Sequence, residues 1–265
     1  MRLAMSSPEI EVHVGPVARL VLNRPEQRNA MTVGMGEALV RAVEALNASS
    51  EVRVVLVEGA GRAFCAGGDF DLLEANAQST PEQNRRQMLA FYALYLSVLK
   101  LRAPSVAVLH GAAIGAGLCL AMACDLRVAA AEAKLGANFV RVGLHPGMAC
   151  TLLLPDLVGA ARARDLILSG RIIDGVEAER VGLVQHVVPR AGLADRVSEL
   201  AAELTRGAPI AVAQAKETLA APLVARLEAT LAREASAQAV SFSTEDLREA
   251  VAAFREKREP AFANR

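Results

Sequence analysis

Two glycine-rich stretches carry the first chemical signal in this chain. One runs Gly61-Arg62-Ala63-Phe64-Cys65-Ala66-Gly67-Gly68-Asp69, the other His110-Gly111-Ala112-Ala113-Ile114-Gly115-Ala116-Gly117. Each follows an apolar run that reads as a buried strand, and each leads into a helical pattern. Small residues at such a turn let main-chain N–H groups approach a ligand, and the start of a helix adds partial positive charge. Two amides converging from separate loops form a receptor for an oxygen that gains negative charge during a reaction. The plainer alternative is that the glycines only permit tight turns and close helix–strand packing. A dinucleotide fingerprint is not supported. Gly115-Ala116-Gly117 continues as Leu118-Cys119-Leu120 with no third glycine, and it lies mid-chain rather than after the first strand. The Gly-Lys-Ser/Thr pattern of a phosphate-binding loop is absent too.

The elements that must position these loops are legible in order. Ile10–Val14 and Val17–Leu22 read as a hairpin hinged at Gly15-Pro16, and Asn23-Arg24-Pro25 stops the second strand. From Thr32 to Leu46 apolar residues recur at helical spacing (Met35, Leu39, Val43, Leu46), with Thr32 as N-cap. Arg53–Glu58 contains Val54-Val55-Leu56-Val57, too continuous for a one-faced strand and therefore expected in a parallel sheet buried on both sides. A helix from about Asp71, a long helix over Pro81–Arg102, a buried strand Ser105–Leu109, an apolar helix Leu118–Cys124 and a strand Leu126–Ala130 follow. Strand, glycine loop, helix, strand is the pattern of stacked βαβ units with right-handed crossovers, an α/β fold. Beyond Gly159 come a helix Ala160–Ser169, a short strand Val184–Val188, and an almost purely helical stretch from Leu193. The expected division is a core over residues 1–190 and a helical segment over 191–265, packed on the core or on neighbouring subunits with no linker between.

Composition narrows the function classes. The chain has 265 residues, 53% of them hydrophobic, enough for one large α/β domain with a substantial core. Its 29 basic and 29 acidic side chains cancel, leaving no electrostatic footprint for nucleic acid or an anionic membrane. Aromatic residues are 3% with no Trp, which also argues against a stacking platform for single strands. Lysine occurs only at Lys100, Lys134, Lys216 and Lys257, so the basic charge is overwhelmingly arginine and any one arginine reads first as solvated. Cys65, Cys119, Cys124 and Cys150 form no C-x-x-C pair and have no histidine at metal spacing, so reduced, buried thiols of a cytoplasmic protein with no metal are expected. Met1–Pro8 lacks the apolar run of an export signal, and no stretch reaches the ~18 apolar residues of a membrane span.

Six segments, in order along nearly the whole chain, resemble the crotonase (enoyl-CoA hydratase/isomerase) superfamily. They are Leu22-Asn23-Arg24-Pro25 with Asn29-Ala30-Met31; Ala63 to Asp69; Gly111 to Gly117 with Met122-Ala123-Cys124-Asp125; Val142 to Gly147; Ala178 to Val184; and Phe254 to Arg258. The resemblance implies a crotonase-like spiral of ββα units, a C-terminal helical segment used for trimerisation, and a CoA thioester as substrate with no other cofactor. The assembly it implies is a homotrimer or a dimer of trimers. It places the two amides that grip the thioester oxygen at Gly68 and Ala116, and implies CoA contacts at Arg24, Ala66, Gly67, Phe254 and Lys257.

The resemblance also marks three departures. Hydration of an enoyl thioester needs a water deprotonated and a proton delivered to the α-carbon, and hydratases of this family use two glutamates. Their positions match Cys119 and Phe139, and the aspartate used by some isomerase and dehalogenase relatives matches Gly147. None can act as a carboxylate base. His145, in Gly143-Leu144-His145-Pro146-Gly147, is the candidate replacement; the alternative is a ring packed under the loop and bonded to a backbone carbonyl. Cys119 is either a nucleophile acidified by a helix start or an inert buried thiol. Asp69, Asp71 and Glu74 read as helix-capping acids, with Glu74 also within reach of an acyl pocket. His110 ends a strand before the second loop, while His13 and His186 read as structural or surface groups. The functional expectation is an enzyme of acyl-CoA metabolism acting through an oxyanion hole without the usual glutamates. The alternative is a catalytically silent acyl-CoA-binding protein of the same fold.

Overall fold

The computed structural model describes residues 7–265, so Met1–Ser6, most of the N-terminal segment read above for an export signal, lies outside the described residues. Strand β1 (Ile10–His13) folds back antiparallel onto β2 (Val17–Leu22), pairing Ile10 with Leu22 and His13 with Arg19. Every later pairing between the strands is parallel. Strands β3 (Val54–Gly59), β5 (Ser105–Leu109), β7 (Leu126–Ala130) and β9 (His186–Val188) extend the sheet in the order β1-β2-β3-β5-β7-β9, with β4, β6 and β8 elsewhere. Those three, β4 (Ala63–Cys65), β6 (Ala112–Ile114) and β8 (Leu135–Gly136), form a second, smaller parallel sheet. The chain steps from the large sheet to the small one three times, β3 to β4, β5 to β6 and β7 to β8, and each step ends in a helix or a tight turn. This is a crotonase-type spiral.

The helices are α1 (Val33–Ala48), α2 (Phe70–Ala77), α3 (Pro81–Tyr95), α4 (Ala116–Met122), α5 (Cys150–Val158), α6 (Ala160–Ser169), α7 (Gly175–Val181), α8 (Leu193–Thr205), α9 (Pro209–Phe242) and α10 (Glu245–Glu256). Local chemistry sets their starts. Thr32 Oγ1 accepts from the Met35 N–H at 3.0 Å, and Thr80 with Gln83 forms a reciprocal capping box at the head of α3. Helix α1 packs on β1 and β2, and α8 on β3, β7 and β9, so Val54, Val55 and Val57 have no exposed surface, as their unbroken apolar run requires. Long α9 lies against α3 and α5, and α10 turns back onto α2.

Several boundaries differ from the sequence reading, for local reasons. The helix expected over Pro81–Arg102 stops at Tyr95 and tightens into a 3-10 turn, Leu96–Lys100. Strands of two or three residues inside the glycine loops carry too few side chains to show a period, so β4, β6 and β8 were not expected, nor were α5 and α7. Helix α4 begins at Ala116 rather than Leu118.

Two buried polar side chains hold the glycine loops in place. Asn29 is fully buried, with Nδ2 2.9 Å from the Ala60 and Ala63 carbonyls and 3.1 Å from that of Phe64, while its Oδ1 accepts from the Arg24 N–H at 2.9 Å. Arg127, 1% exposed on β7, donates to the carbonyl oxygens of Ala121, Met122 and Cys124 at the end of α4 and to Leu183 O at 2.7 Å. One fixes the first loop; the other anchors the helix that begins in the second.

All four cysteines are free and buried, and burial pushes the Cys65 and Cys124 thiols up to about 12. A thiol-specific aromatic disulfide at pH 8 is therefore expected to label fewer than one cysteine per native chain and all four after unfolding. Asn29→Ala leaves three carbonyls short of donors and is expected to cost about 3 kcal/mol in urea unfolding, at ~1–3 kcal/mol per unsatisfied buried group. Asn29→Asp, which sets a carboxylate against those carbonyls, is expected to cost more.

Candidate functional site

The first loop is zipped to the segment after Pro25. Ala66 N donates to Arg28 O at 3.0 Å, Met31 N to Gly67 O at 2.8 Å, and Asp69 N to Met31 O at 3.2 Å. The Gly67 N–H lies against the Cys65 thiol. The amide between these, that of Gly68, is left over. In the second loop Gly115 sits at φ +56 and starts α4, so the Ala116 N–H belongs to the first turn, whose donors have no intrahelical acceptor. Among the described residues neither the Gly68 nor the Ala116 N–H reaches an acceptor.

The two loops meet beside these amides. Gly67, at φ +97, has its Cβ direction 2.8 Å from the Ile114 carbonyl oxygen and 3.6 Å from the Ala116 nitrogen. A Cβ on Gly117 would run into the Cys65 carbonyl oxygen, so only glycine allows this approach. A Cβ on Gly68, by contrast, would meet nothing within 4 Å: that side is open. Gly67, Gly68 and Ala116 thus come together, with Ala66 half-buried in the same loop.

Around them the expected residues divide. Asp69 caps α2, accepting from the Asp71 N–H at 3.1 Å, and pairs with Arg24 at 3.0 Å. Arg24 also reaches Glu9 at 3.1 Å through Nε and the Ala30 carbonyl at 2.7 Å through Nη1. Phe254 stacks on Phe70, centroids 4.0 Å apart and planes 18° off parallel, and Arg255 pairs with Glu74 at 2.6 Å. Helix α10 is so fastened along α2 of its own chain, with a cleft of about 800 Å³ between Asp71, Glu74, Leu247, Val251 and Arg255. Lys257 ends α10 in a left-handed turn, exposed. A second cavity of about 340 Å³, against Leu46, Arg53, Leu101 and Ile210, lies at the other ends of β3 and β5, away from the glycine loops.

The positions where acids were expected are packed. The Phe139 ring is 3.9 Å from the Cβ direction of Gly115 and 7% exposed. Cys119 is fully buried, its thiol directed at the Gly147 carbonyl at 3.5 Å, and burial holds that thiol well above its ordinary pKa. A side chain at Gly147 would collide with the Tyr92 hydroxyl. His145 is half-buried with Nδ1 2.6 Å from the Pro146 carbonyl oxygen. That oxygen can only accept, so Nδ1 carries the proton and a neutral ring keeps its lone pair on Nε2. The His110 Nε2 lies 3.1 Å from the Gly61 carbonyl, and His13 and His186 lie on β1 and β9.

Sequence reading missed Tyr92, Glu234 and Gln238, three buried polar residues behind this wall. Each sits on a long helix, where a polar letter reads as a solvent-facing position. Asn29 carried a visible signal, an asparagine followed by Ala30-Met31 after a proline turn, but its role needed the coordinates.

Comparison with known proteins identifies the family of the chain. A model of the enoyl-CoA hydratase/isomerase family matches residues 14–265. A putative enoyl-CoA hydratase of Thermus thermophilus is 36% identical over 253 residues, 96% of this chain and 100% of the relative. The crystal structure of an enoyl-CoA hydratase from Mycobacterium avium subsp. paratuberculosis superposes with a TM-score of 0.87 at 29% identity, covering 98% of this chain and 100% of that one. An enoyl-CoA hydratase/isomerase from Pseudoalteromonas atlantica gives 0.84 at 34% identity over 96% and 100%. With a family match over nearly all of its length and relatives of this similarity end to end, the chain belongs to the enoyl-CoA hydratase/isomerase family, the crotonase superfamily.

Proposed function

We propose that this protein acts on acyl-CoA thioesters, gripping the thioester oxygen with the Gly68 and Ala116 amides, and that its reaction is not simple hydration of an enoyl thioester. The observation that carries this reading is the pair of unpartnered N–H groups at the contact of the two glycine loops, one beside open space. Donors aimed at a carbonyl stabilise the enolate or tetrahedral oxyanion that forms from it, and one such donor is worth ~10²–10³ in rate. Cys119, Phe139 and Gly147 supply no carboxylate, and at Gly147 the space a side chain would take is filled by Tyr92 and Gln238. Isomerisation or hydrolysis of an unusual acyl-CoA fits this interior better. His145 Nε2 is the proposed base, and Phe139 sets an apolar wall suited to a hydrophobic chain or ring. Ala66, Gly67, Phe254 and Lys257 are proposed to line the CoA path.

A second reading rests on the same packed interior: an acyl-CoA-binding protein without turnover, since a deeply buried Cys119 thiol and the absent acids leave little proton-transfer chemistry. A trimer or dimer of trimers is proposed for either. Exposed Leu168, Ile172 and Val176 on and beside α6 and α7, and Ile210, Leu219 and Val224 on α9, are apolar surface available for subunit contact. A cytoplasmic location is proposed from the four free thiols, and among the described residues no helix is long and apolar enough to cross a membrane.

Both readings predict thermal stabilisation by hexanoyl-CoA, about 2.7 kcal/mol at a hundredfold excess over Kd. Ala116→Pro tests the amide itself. The position is the first of a helix, where proline is well accommodated, and the lost N–H has no partner among the described residues. The variant is expected to melt near the parent and to lose ~10²–10³ in turnover, or, for a silent binder, its preference for hexanoyl-CoA over CoA. Hydration of crotonyl-CoA at ordinary hydratase rates would overturn the account of the missing acids. His145→Ala is expected to lower turnover of any CoA substrate by ~10²–10⁴, and an unchanged rate would remove His145 from the mechanism.

A further inference from the structure

Three side chains on one stripe of α9, Glu234, Gln238 and Ser241, converge on the short loop that joins the 3-10 turn after β8 to helix α5. Glu234 is 1% exposed, and its carboxylate is met by the head of α5: Ala149 N–H at 2.7 Å, Thr151 N–H at 2.8 Å and Thr151 Oγ1 at 2.6 Å. One turn on, Gln238 Nε2 donates to the His145 carbonyl at 2.8 Å while its Oε1 accepts from the Tyr92 hydroxyl at 2.7 Å. Ser241 Oγ accepts from the His145 N–H at 3.1 Å. Both main-chain polar groups of His145 are therefore held by α9.

The loop needs holding. Met148 and Ala149 sit consecutively at φ 58 and 60, a left-handed pair without glycine, and such conformations cost ~1–3 kcal/mol each unless their surroundings enforce them. Ala149 is the very residue whose N–H Glu234 accepts. On its other side the loop touches the oxyanion helix: the Gly147 carbonyl accepts from the Cys119 thiol at 3.5 Å, and α5 packs on α4, whose first amide is Ala116. Among the described residues, no cation lies beside this buried carboxylate. Burial raises its pKa, opposed by the three donors of Thr151 and Ala149. A side chain needed only to fill space there would be apolar.

We propose that Glu234 is a positioning residue, which, with Gln238 and Ser241, enforces the strained Gly147–Ala149 turn and thereby sets the aim of the Ala116 amide and the seat of His145. This rests on the reading of Gly68 and Ala116 as the thioester-gripping pair. It assigns to α9, in the C-terminal segment, a role in the geometry of a site built by the glycine loops, and it acts through main chain rather than by touching substrate.

The test reads the site without requiring turnover. Hexanoyl-CoA labelled with ¹³C at the thioester carbonyl is bound to the full-length protein, and the carbonyl stretch is followed by isotope-edited infrared difference spectroscopy. In the parent, two N–H donors pull the stretch below its value in water. Glu234→Gln, which turns an NH₂ toward one of the α5 donors, is expected to lose at least half of that shift while the affinity for CoA without an acyl group stays within about twofold. Ser241→Ala, a milder change at a half-buried position, guards against misfolding of the first variant and is expected to move the stretch in the same direction. If both variants melt lower yet keep the full shift, the cluster is only structural and the proposal fails. If the parent shows no shift, the thioester reading fails and the positioning role falls with it.

Discussion

Two stretches of main chain touch with no side chains between them, and the rest of the structure serves that contact. Gly67 lies on the Ile114 carbonyl and Gly117 on the Cys65 carbonyl, so β4 and the start of α4 come closer than any other residue pair would permit. Close approach brings two lone N–H groups into one neighbourhood. Their positions are over-determined: by the zipper from Arg28 to Met31 on one side, Asn29 on three carbonyls, and Arg127 at the far end of α4. Donors held this way need no reorganisation when an oxygen arrives, which is the condition under which electrostatic stabilisation is most effective.

The spiral explains why the contact recurs at strand ends. Each passage from the large sheet to the small one turns the chain through a glycine loop, and parallel pairing stacks those loops directly above one another, β4 beside β6 and β6 beside β8. Helices must then leave from the same edge, so their orphaned first-turn donors gather there. An acid at 119, 139 or 147 would stand next to this edge; Cys119, Phe139 and the Tyr92 hydroxyl seal it with bulk instead. The same scaffold that gathers donors has, in this chain, a wall without carboxylates.

Much of this was legible in the letters. The hairpin, Thr32 as a cap, the doubly buried run Val54 to Val57 and both glycine loops follow from periodicity and residue type, and the family from motifs in register. What escaped has a physical cause. Strands of two or three residues such as β8 have no period; they exist because a neighbour pairs with them. Glu234 and Gln238 sit in an Ala-rich helix whose pattern marks polar residues as outward, and only tertiary packing turns that stripe inward. Arg24 shows the converse: a basic residue at a suggestive place whose charge is absorbed by Glu9 and Asp69, partners that no local rule selects.

Helix α10 carries one more consequence. Its Phe254 and Arg255 fasten onto Phe70 and Glu74, residues far earlier in the sequence. The glycine loops, their zipper and α4 are tied by contacts of their own, so the cover over α2 is a separate joint. Closing so long a loop costs chain entropy, and contacts at an exposed edge belong to the part of a fold that opens locally. Loosening that joint would widen the space between α2 and α10 while leaving the spiral beneath it intact.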